Sequence, residues 1–547
     1  MKNAAVPPPA HDSGRSGSGG DFAPLREPVF AVLWTATVAG NTGSFMRDVA
    51  SSWLVTDLSP SPAMVALIQT AATLPIFLLA IPAGVLTDIL DRRRFLIFAQ
   101  VFLLLVSSSL LLLAATSSMT ISRLVVLTFL GGVGTALAMP AWQAIVPELV
   151  PRESLRSAIT LNSLGVNIAR AIGPALGGLL LASFGAAVAY GADVGTYLIV
   201  IAALLWWRRP HPPASDLDEQ FLSAFRAGLR YARTSQELHV VLLRAAIFFL
   251  FASCVWALLP LVARQMLEGS AGFYGVLLGA VGGGAVAGAF ALPALRQRLD
   301  PDRLLLAASL CTAIVIGCLA LAPPRWLAVL LLLVLGVGWI TALTTLSGVA
   351  QSVLPNWVRG RGLAVYLMVF NGAMAAGSFG WGLVAQVVGV PLALLIGGVG
   401  LVITGVAFFR VRLPRGEANL EPSNHWPQPL LATPVGNDRG PVMVQIEYQV
   451  PVDQQAAFLR VLRRLSEGRR RDGAYLWGVT EDAADPEQII EWFLVESWAE
   501  HMRQHHRVSK ADAHLQEEAT AYHRGPSPPV VRHLLALTPG VRSPTGT

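Results

Sequence analysis

Two strongly apolar stretches of this chain repeat each other at an offset of 204 residues. Gly84, Arg92 and Arg94 recur as Gly288, Arg296 and Arg298 (288−84 = 204). Gly132, Gly134, Pro151, Asn167, Gly173, Gly178 and Gly185 recur as Gly336, Gly338, Pro355, Asn371, Gly377, Gly382 and Gly389, with no gap needed between the first pair and the last. Glycine matches are cheap in apolar helices; shared Asn, Pro and Arg at one offset are not. A membrane domain of two parallel halves is the pattern of carriers that rock about a midplane site.

Composition agrees. The 547 residues are 54% hydrophobic and 14% charged, with mean hydropathy +0.56, too apolar for an ordinary soluble protein. Acidic groups concentrate in 1–27 and 413–547, while 28–412 alternates apolar runs with short Arg-rich joints, so the net charge of +6 reflects loop placement and implies no nucleic-acid partner. Cys254, Cys311 and Cys318 lie inside apolar runs and read as small core residues. Lysine occurs only at Lys2 and Lys510, outside any GxxxxGK[ST] loop, which removes direct ATP drive by this polypeptide. No cofactor and no metal is expected.

A span needs about 20 helical residues to cross a ~30 Å hydrocarbon core. Twelve runs qualify: 29–56, 62–86, 95–115, 121–146, 157–182, 187–207, 240–263, 271–294, 303–322, 326–353, 362–387 and 391–411. Arginine clusters on alternate joints (Arg92–Arg94, Arg152 and Arg156, Arg208–Arg209, Arg296 to Arg303, Arg359 and Arg361, Arg410 and Arg412) predict that those joints, and both termini, face the cytoplasm. The expected organisation is a disordered N-terminus (1–27), a six-helix bundle (28–208), and a cytoplasmic linker (209–238). In that linker Phe221, Phe225 and Leu229 among Arg226, Arg230 and Arg233 suggest an amphipathic helix. A second bundle (239–412) and a Pro-rich linker (413–440) follow. The soluble domain at 441–540 then reads β-α-β-β-α-β, the ferredoxin-like order. The fold class is thus all-α membrane, twelve helices in two six-helix pseudo-repeats, with a small α+β tail.

Gly84-Val85-Leu86-Thr87-Asp88-Ile89-Leu90-Asp91-Arg92-Arg93-Arg94 sits between spans two and three. It resembles the GxLaDrxGrRx signature of the major facilitator superfamily, with Asp91 in place of the usual glycine. Gly84 is expected to permit close helix approach, Asp88 to meet a facing helix N-terminus near residue 360, and the arginines to find acidic partners such as Glu148. Asn41-Thr42-Gly43-Ser44, Trp53-Leu54-Val55, Leu74-Pro75 and Val150-Pro151-Arg152-Glu153, with a tail reading Val495-Glu496-Ser497-Trp498-Ala499-Glu500-His501, resemble the transmembrane secretion effector branch, which includes enterobactin-exporter-like proteins. The resemblance implies a secondary active, multi-pass exporter of the bacterial inner membrane that moves a small amphiphilic molecule outward.

Gly173-Pro174-Ala175-Leu176-Gly177-Gly178 is similar to the GPxxGG motif of exporter-type facilitators, where proline and glycines give a kinkable, closely packed helix. The drug:proton antiporter arginine is missing from Leu127-Thr128-Phe129-Leu130-Gly131. Ionisable residues expected inside spans are Arg47, Asp48, Arg170 and Asp193, all in the first half, and such groups are candidates for coupling or for static pairing. Asp48, on a cavity-lining span in this fold, is the stronger candidate than Asp193 on a peripheral one. Gln69, Gln143, Asn162, Asn167, Gln351 and Asn371 are neutral candidates for a cavity wall.

The tail, with His505, His506, Trp477, Trp492 and Trp498, is similar to antibiotic-biosynthesis-monooxygenase-like modules, which pair into dimers. It is expected to self-associate. The rival function is a membrane-anchored monooxygenase-like or ligand-sensing module carried by this tail. Against it, the sequence shows no metal-ligand spacing and no nucleophile constellation.

Overall fold

The computed structural model describes residues 22–208, 231–355, 357–414, 423, 426, 429, 431 and 433–537, except the side chains of Val85, Asp88, Ile89, Arg152, Arg156 and His506. The proposed linker helix, Phe221 to Arg230, lies outside the described residues, as does most of the N-terminal segment.

The first bundle contains α1 (Pro28–Leu58), α2 (Pro62–Ile89), α3 (Arg92–Ala115), α4 (Ile121–Ile145), α5 (Leu155–Phe184) and α6 (Ala186–Trp206). The second contains α7 (Gln236–Leu261), α8 (Ala271–Arg296), α9 (Pro301–Ala320), α10 (Arg325–Ser352), α11 (Arg359–Val388) and α12 (Val390–Ala407). Eleven of these helices are long and apolar enough to cross a membrane. The one outside that set is α1, 31 residues long, which carries Arg47, Asp48 and Asp57.

The offset of 204 holds from α4 onward, where α4, α5 and α6 start 204 residues before α10, α11 and α12 (325−121, 359−155, 390−186). Gly185 and Gly389 show why glycine recurs there. Each is the single residue joining two antiparallel helices, at φ +82° and +85°, a conformation side chains disfavour.

Earlier in the halves the offset is 209, which corrects the gapless repeat. Gly132 packs on Ala72 O, and Gly336 on Val281 O (281−72 = 209). Gly134 packs on Leu103, and Gly338 on Thr312 (312−103 = 209). The five residues are absorbed because α9 has 20 residues against 24 in α3, with one residue fewer in the turn that follows. Gly288, Arg296 and Arg298 are therefore not the counterparts of Gly84, Arg92 and Arg94. The true echo of the signature is Asp300 with Arg303: Asp91 and Asp300 each cap a helix by accepting from the N–H three residues on, Arg94 and Arg303.

Between bundles, α2 packs on α11 and α5 on α8, the same contact twice under the pseudo-twofold relation. Within a bundle, α1 lies against α5 and α6, and α7 against α11 and α12.

The tail is a four-stranded antiparallel sheet, order β2-β3-β1-β4, from β1 (Val442–Gln449), β2 (Leu476–Asp482), β3 (Asp485–Val495) and β4 (Val530–Leu535). α13 (Gln455–Asp472) follows β1. The second helical stretch, expected as one helix over 498–522, is two: α14 (Trp498–Arg507) and α15 (Lys510–Thr520). The break is chemical, since Ser509 and Asp512 form a capping box that starts a new helix. Val442, Val444, Ile446, Tyr448, Ile489 and Phe493 bury one face of the sheet against α13. The other face leaves Ile490, Trp492 and Leu494 half-buried, with Val530 and Leu534 exposed on the edge strand β4.

Candidate functional site

At the signature end of the bundle, Asp91 accounts for the replaced glycine: its carboxylate caps α3 through Arg94 N at 2.8 Å. Arg92 Nη1 lies 2.8 Å from Glu148 Oε1 and also donates to Ala144 O, tying α3 to the end of α4. Arg93 donates to Leu204 O and Leu205 O, satisfying carbonyls at the end of α6. Gly84, expected at a close helix approach, has open space where a side chain would begin. The side chain of Asp88 lies outside the described set.

The opposite end is where the bundles meet. Arg264, just past α7, pairs with Asp57 and donates to Thr56 at 2.9 Å, with its guanidinium 5.7 Å from the Trp53 ring centroid. Ser61 donates to Gln386 across α2 and α11 at 2.7 Å. The exporter-type motif is part of this closure. A methyl group at Gly178 would meet Gly275 Cα of α8 at 2.6 Å, and one at Gly177 or Gly173 would strike Met46 Cα or Phe45 Cβ of α1 at 2.7 Å. Farther along, Gly282 of α8 lies on Ala171, and Gly372 of α11 on Phe77 of α2. These contacts run from the opposite end to about the middle, which is why Gly84 has no neighbour in this conformation.

Inside the first bundle, Arg47 of α1 is the hub. Its guanidinium reaches Asp48 Oδ1 at 3.2 Å, Asp193 Oδ2 at 3.6 Å and the Tyr197 hydroxyl at 2.9 Å. Asp193, on α6, is fully buried and accepts from Ser107 of α3 at 2.6 Å, whereas the side chain of Asp48 is 50% exposed. Span six, expected to be the peripheral one, thus supplies the buried acid of this cluster. Asp193 Oδ1 is buried facing Gly43, with no hydrogen-bond donor among the described residues. Arg170 stands apart, donating to Asn167 Oδ1 at 3.5 Å, and the structure does not bring it to this cluster.

The expectation that charges lie only in the first half needs a correction. Arg244 of α7, 4% exposed, pairs with Asp302 at 3.4 Å and donates to Phe408 O and Val411 O. Its position one turn into an otherwise apolar run hides it from a hydropathy pattern. Among the neutral candidates, Asn162 accepts from Trp142 and Asn371 donates to Leu367 O, both helix–helix or backbone bonds. An apolar cavity of about 570 Å³ lies among α2, α7 and α11, lined by Leu74, Phe77, Leu250, Ala376 and Phe379, with Thr70 rather than Gln69 at its wall.

In the tail, His501 and His505, one turn apart on α14, meet His533 of β4 beside a cavity of about 380 Å³. Of these three, the sequence pointed only to His505, paired with His506, although His501 and His505 carry a legible i, i+4 spacing. Burial, with His533 and His505 alongside, pushes His501 down to about 3, so it stays neutral. Beneath them Arg469 pairs with Glu491 at 3.2 Å, both buried, and Trp477 donates to the same carboxylate. Arg507 of α14 lies over Trp357, between α10 and α11, at 4.3 Å, joining tail and second bundle.

The profile of the transmembrane secretion effector family matches residues 19–539. The enterobactin exporter EntS of Salmonella typhi is 28% identical over 389 residues, 70% of this chain and 92% of that protein. Its Citrobacter koseri counterpart is 29% identical over 384 residues, 69% and 90%. Among solved structures, an inward-facing, unoccupied bacterial homolog of the human lysosomal transporter Spinster aligns with TM-score 0.57 at 16% identity, covering 71% of this chain and 97% of its own. A point mutant of the nucleoside transporter NupG aligns with TM-score 0.58 at 12% identity, covering 70% and 99%. These likenesses establish a carrier fold.

Proposed function

The chain belongs to the transmembrane secretion effector family, and from that premise we propose that it exports a small amphiphilic, siderophore-like molecule across the bacterial inner membrane by alternating access. The observation that carries the reading is the alignment with enterobactin exporters over 92% of their length. With the Arg-rich joints and both termini in the cytoplasm, the closed end faces outward, and the conformation is inward-facing. Gly178 against Gly275 and Arg264 against Asp57 then form the outer gate.

Export uphill takes its drive from an ion gradient, and the Arg47–Asp48–Asp193 cluster is the candidate coupling site. Exposed Asp48 takes up a proton, and Arg47 then leans on Asp193, exchanging one partner for the other. The experiment is efflux from proteoliposomes with enterobactin as probe under an imposed pH gradient. Asp48→Asn should abolish uphill efflux and keep downhill exchange, and unchanged uphill efflux would retire the coupling role. Asp88→Asn should slow both modes through the inner gate, without loss of protein from the membrane.

The tail's half-open sheet, with apolar Val530 and Leu534 on an edge strand, supports self-association through that edge. A monomeric, stable 441–537 fragment by light scattering would refute it.

A further inference from the structure

His501, His505 and His533 are unlike any other group of side chains among the described residues: three imidazoles whose nitrogens lie within 4.8 Å of one another. Two come from one face of α14 and the third from β4, which places it opposite Val444 in the β1 register. His501 Nδ1 and Gln504 Oε1 are 3.4 Å apart, so Nδ1–H donates to the amide and Nε2 keeps its lone pair. That lone pair accepts from His505 Nε2–H, 3.2 Å away, a hydrogen bond that a metal ion would replace. Two nitrogens bound to one tetrahedral zinc at ~2.05 Å lie about 3.3 Å apart. An acceptor that fixes the far nitrogen is how metal-bound histidines are oriented.

The alternative is ordinary ring packing. His501 stacks edge-on with His505 at 4.8 Å between centroids, and Trp426 and Trp498 wall the pair. Packing alone explains the ring contacts. The His505–His501 hydrogen bond accounts for those two nitrogens, but neither it nor packing explains why a third imidazole, His533, brings a ring nitrogen within 4.8 Å of both beside the same cavity. Arg469, the buried cation whose charge reaches His501, is paired with Glu491 at 3.2 Å, which offsets part of its opposition to a second positive centre.

We propose that His501, His505 and His533 form a mononuclear site for a divalent first-row transition metal, Zn²⁺ by its tetrahedral geometry, with one position open to the tail cavity. Three imidazole ligands without a thiolate select a borderline cation over calcium or magnesium. His533 has to close by about 1.5 Å to complete the set, and it sits on an edge strand that pairs on one side only, with β1. Three protein ligands leave the fourth position to water or to an oxygen donor of a small molecule seated between Trp426, Leu431 and Phe493. The site stands on the tail alone and is independent of the export reading.

The test uses the full chain in detergent, purified without a polyhistidine tag, stripped of metal and titrated with Co²⁺ and then Zn²⁺. The expected result is one Co²⁺ per chain with the intense visible bands of a four-coordinate ion, bleached by one equivalent of Zn²⁺. His505→Ala and His533→Ala should each weaken binding more than about 100-fold, while His514→Ala leaves it unchanged. X-ray absorption on the wild-type zinc form should give three imidazole nitrogens, a measurement that needs no variant. Sub-stoichiometric binding, or equal binding by the His501→Ala/His505→Ala/His533→Ala chain, would overturn the site.

Discussion

The two bundles share a backbone plan and differ in what fills it. At the position where α6 buries Asp193, α12 has Gly397 (397−193 = 204). Asp193 is held by Arg47 and Ser107; Gly397 lies against Cys254 Sγ and Trp381, with no polar partner needed. The second bundle is filled with rings instead. Phe249 packs edge-on to Trp339 at 5.3 Å and to Phe370 at 4.4 Å, and Trp256 to Trp339 at 5.1 Å. Repetition thus fixes helix positions, while the charges sit at different places: the first bundle joins Arg47 to Asp193 at this level, and the buried pair of the second, Arg244 with Asp302, lies near a helix end. Buried charge is costly in a bilayer, so an asymmetry of this kind singles out the Arg47–Asp193 cluster for test.

Four measurements break or sharpen that contrast. Removing Arg47 should have the largest effect, because Arg47→Ala strands a fully buried carboxylate. We expect a loss of about 3–5 kcal/mol, read as a lower melting temperature in detergent, and partial recovery in Arg47→Ala/Asp193→Asn. No recovery would mean that the arginine acts through packing alone. The reciprocal change, Gly397→Asp, places a carboxylate against Cys254 with no cation at hand. It should cost at least as much as a buried unpaired polar group, about 1–3 kcal/mol. A folded, active Gly397→Asp chain would show that the halves are interchangeable at this point.

Asp193→Asn keeps shape and most hydrogen bonds but removes the charge, leaving Arg47 to Asp48. It should fold and lose the pH dependence of efflux, whereas a purely structural Asp193 predicts an unchanged pH profile. The smallest expected effects are at the caps. Asp91→Ala and Asp300→Ala should each cost about 1 kcal/mol, equally, because the two turns are the same structure. A much larger effect at Asp91 would mean that the signature does more there than cap a helix.

Much of this was legible in the sequence. Helix bounds read from apolar runs fall within a few residues of the observed ones, because a bilayer-length run of apolar residues has one stable local solution. The succession of strands along the tail followed from alternation and length. The family was legible in short motifs, Asn41 to Ser44 and Gly84 to Arg94, whose residue types are set by helix ends and close contacts.

What sequence left open had a physical pattern. Spacing placed Arg47, Asp48 and Asp193 inside the membrane and the span layout favoured Asp48, but neither revealed that both acids share Arg47, since α1, α3 and α6 meet only through packing. The five-residue shift in the repeat is invisible in sequence, because glycine matches carry no direction, whereas Ala72 against Gly132 and Val281 against Gly336 do. His533 lies 28 residues from His505, with a helix and a turn between them (533−505). The sequence by itself determined which segments cross the membrane and where helices start, since those depend on neighbours along the chain. Only the tertiary structure decided which charges share a partner, which end of the bundle is shut and which imidazoles converge, since those depend on residues that chain distance does not relate.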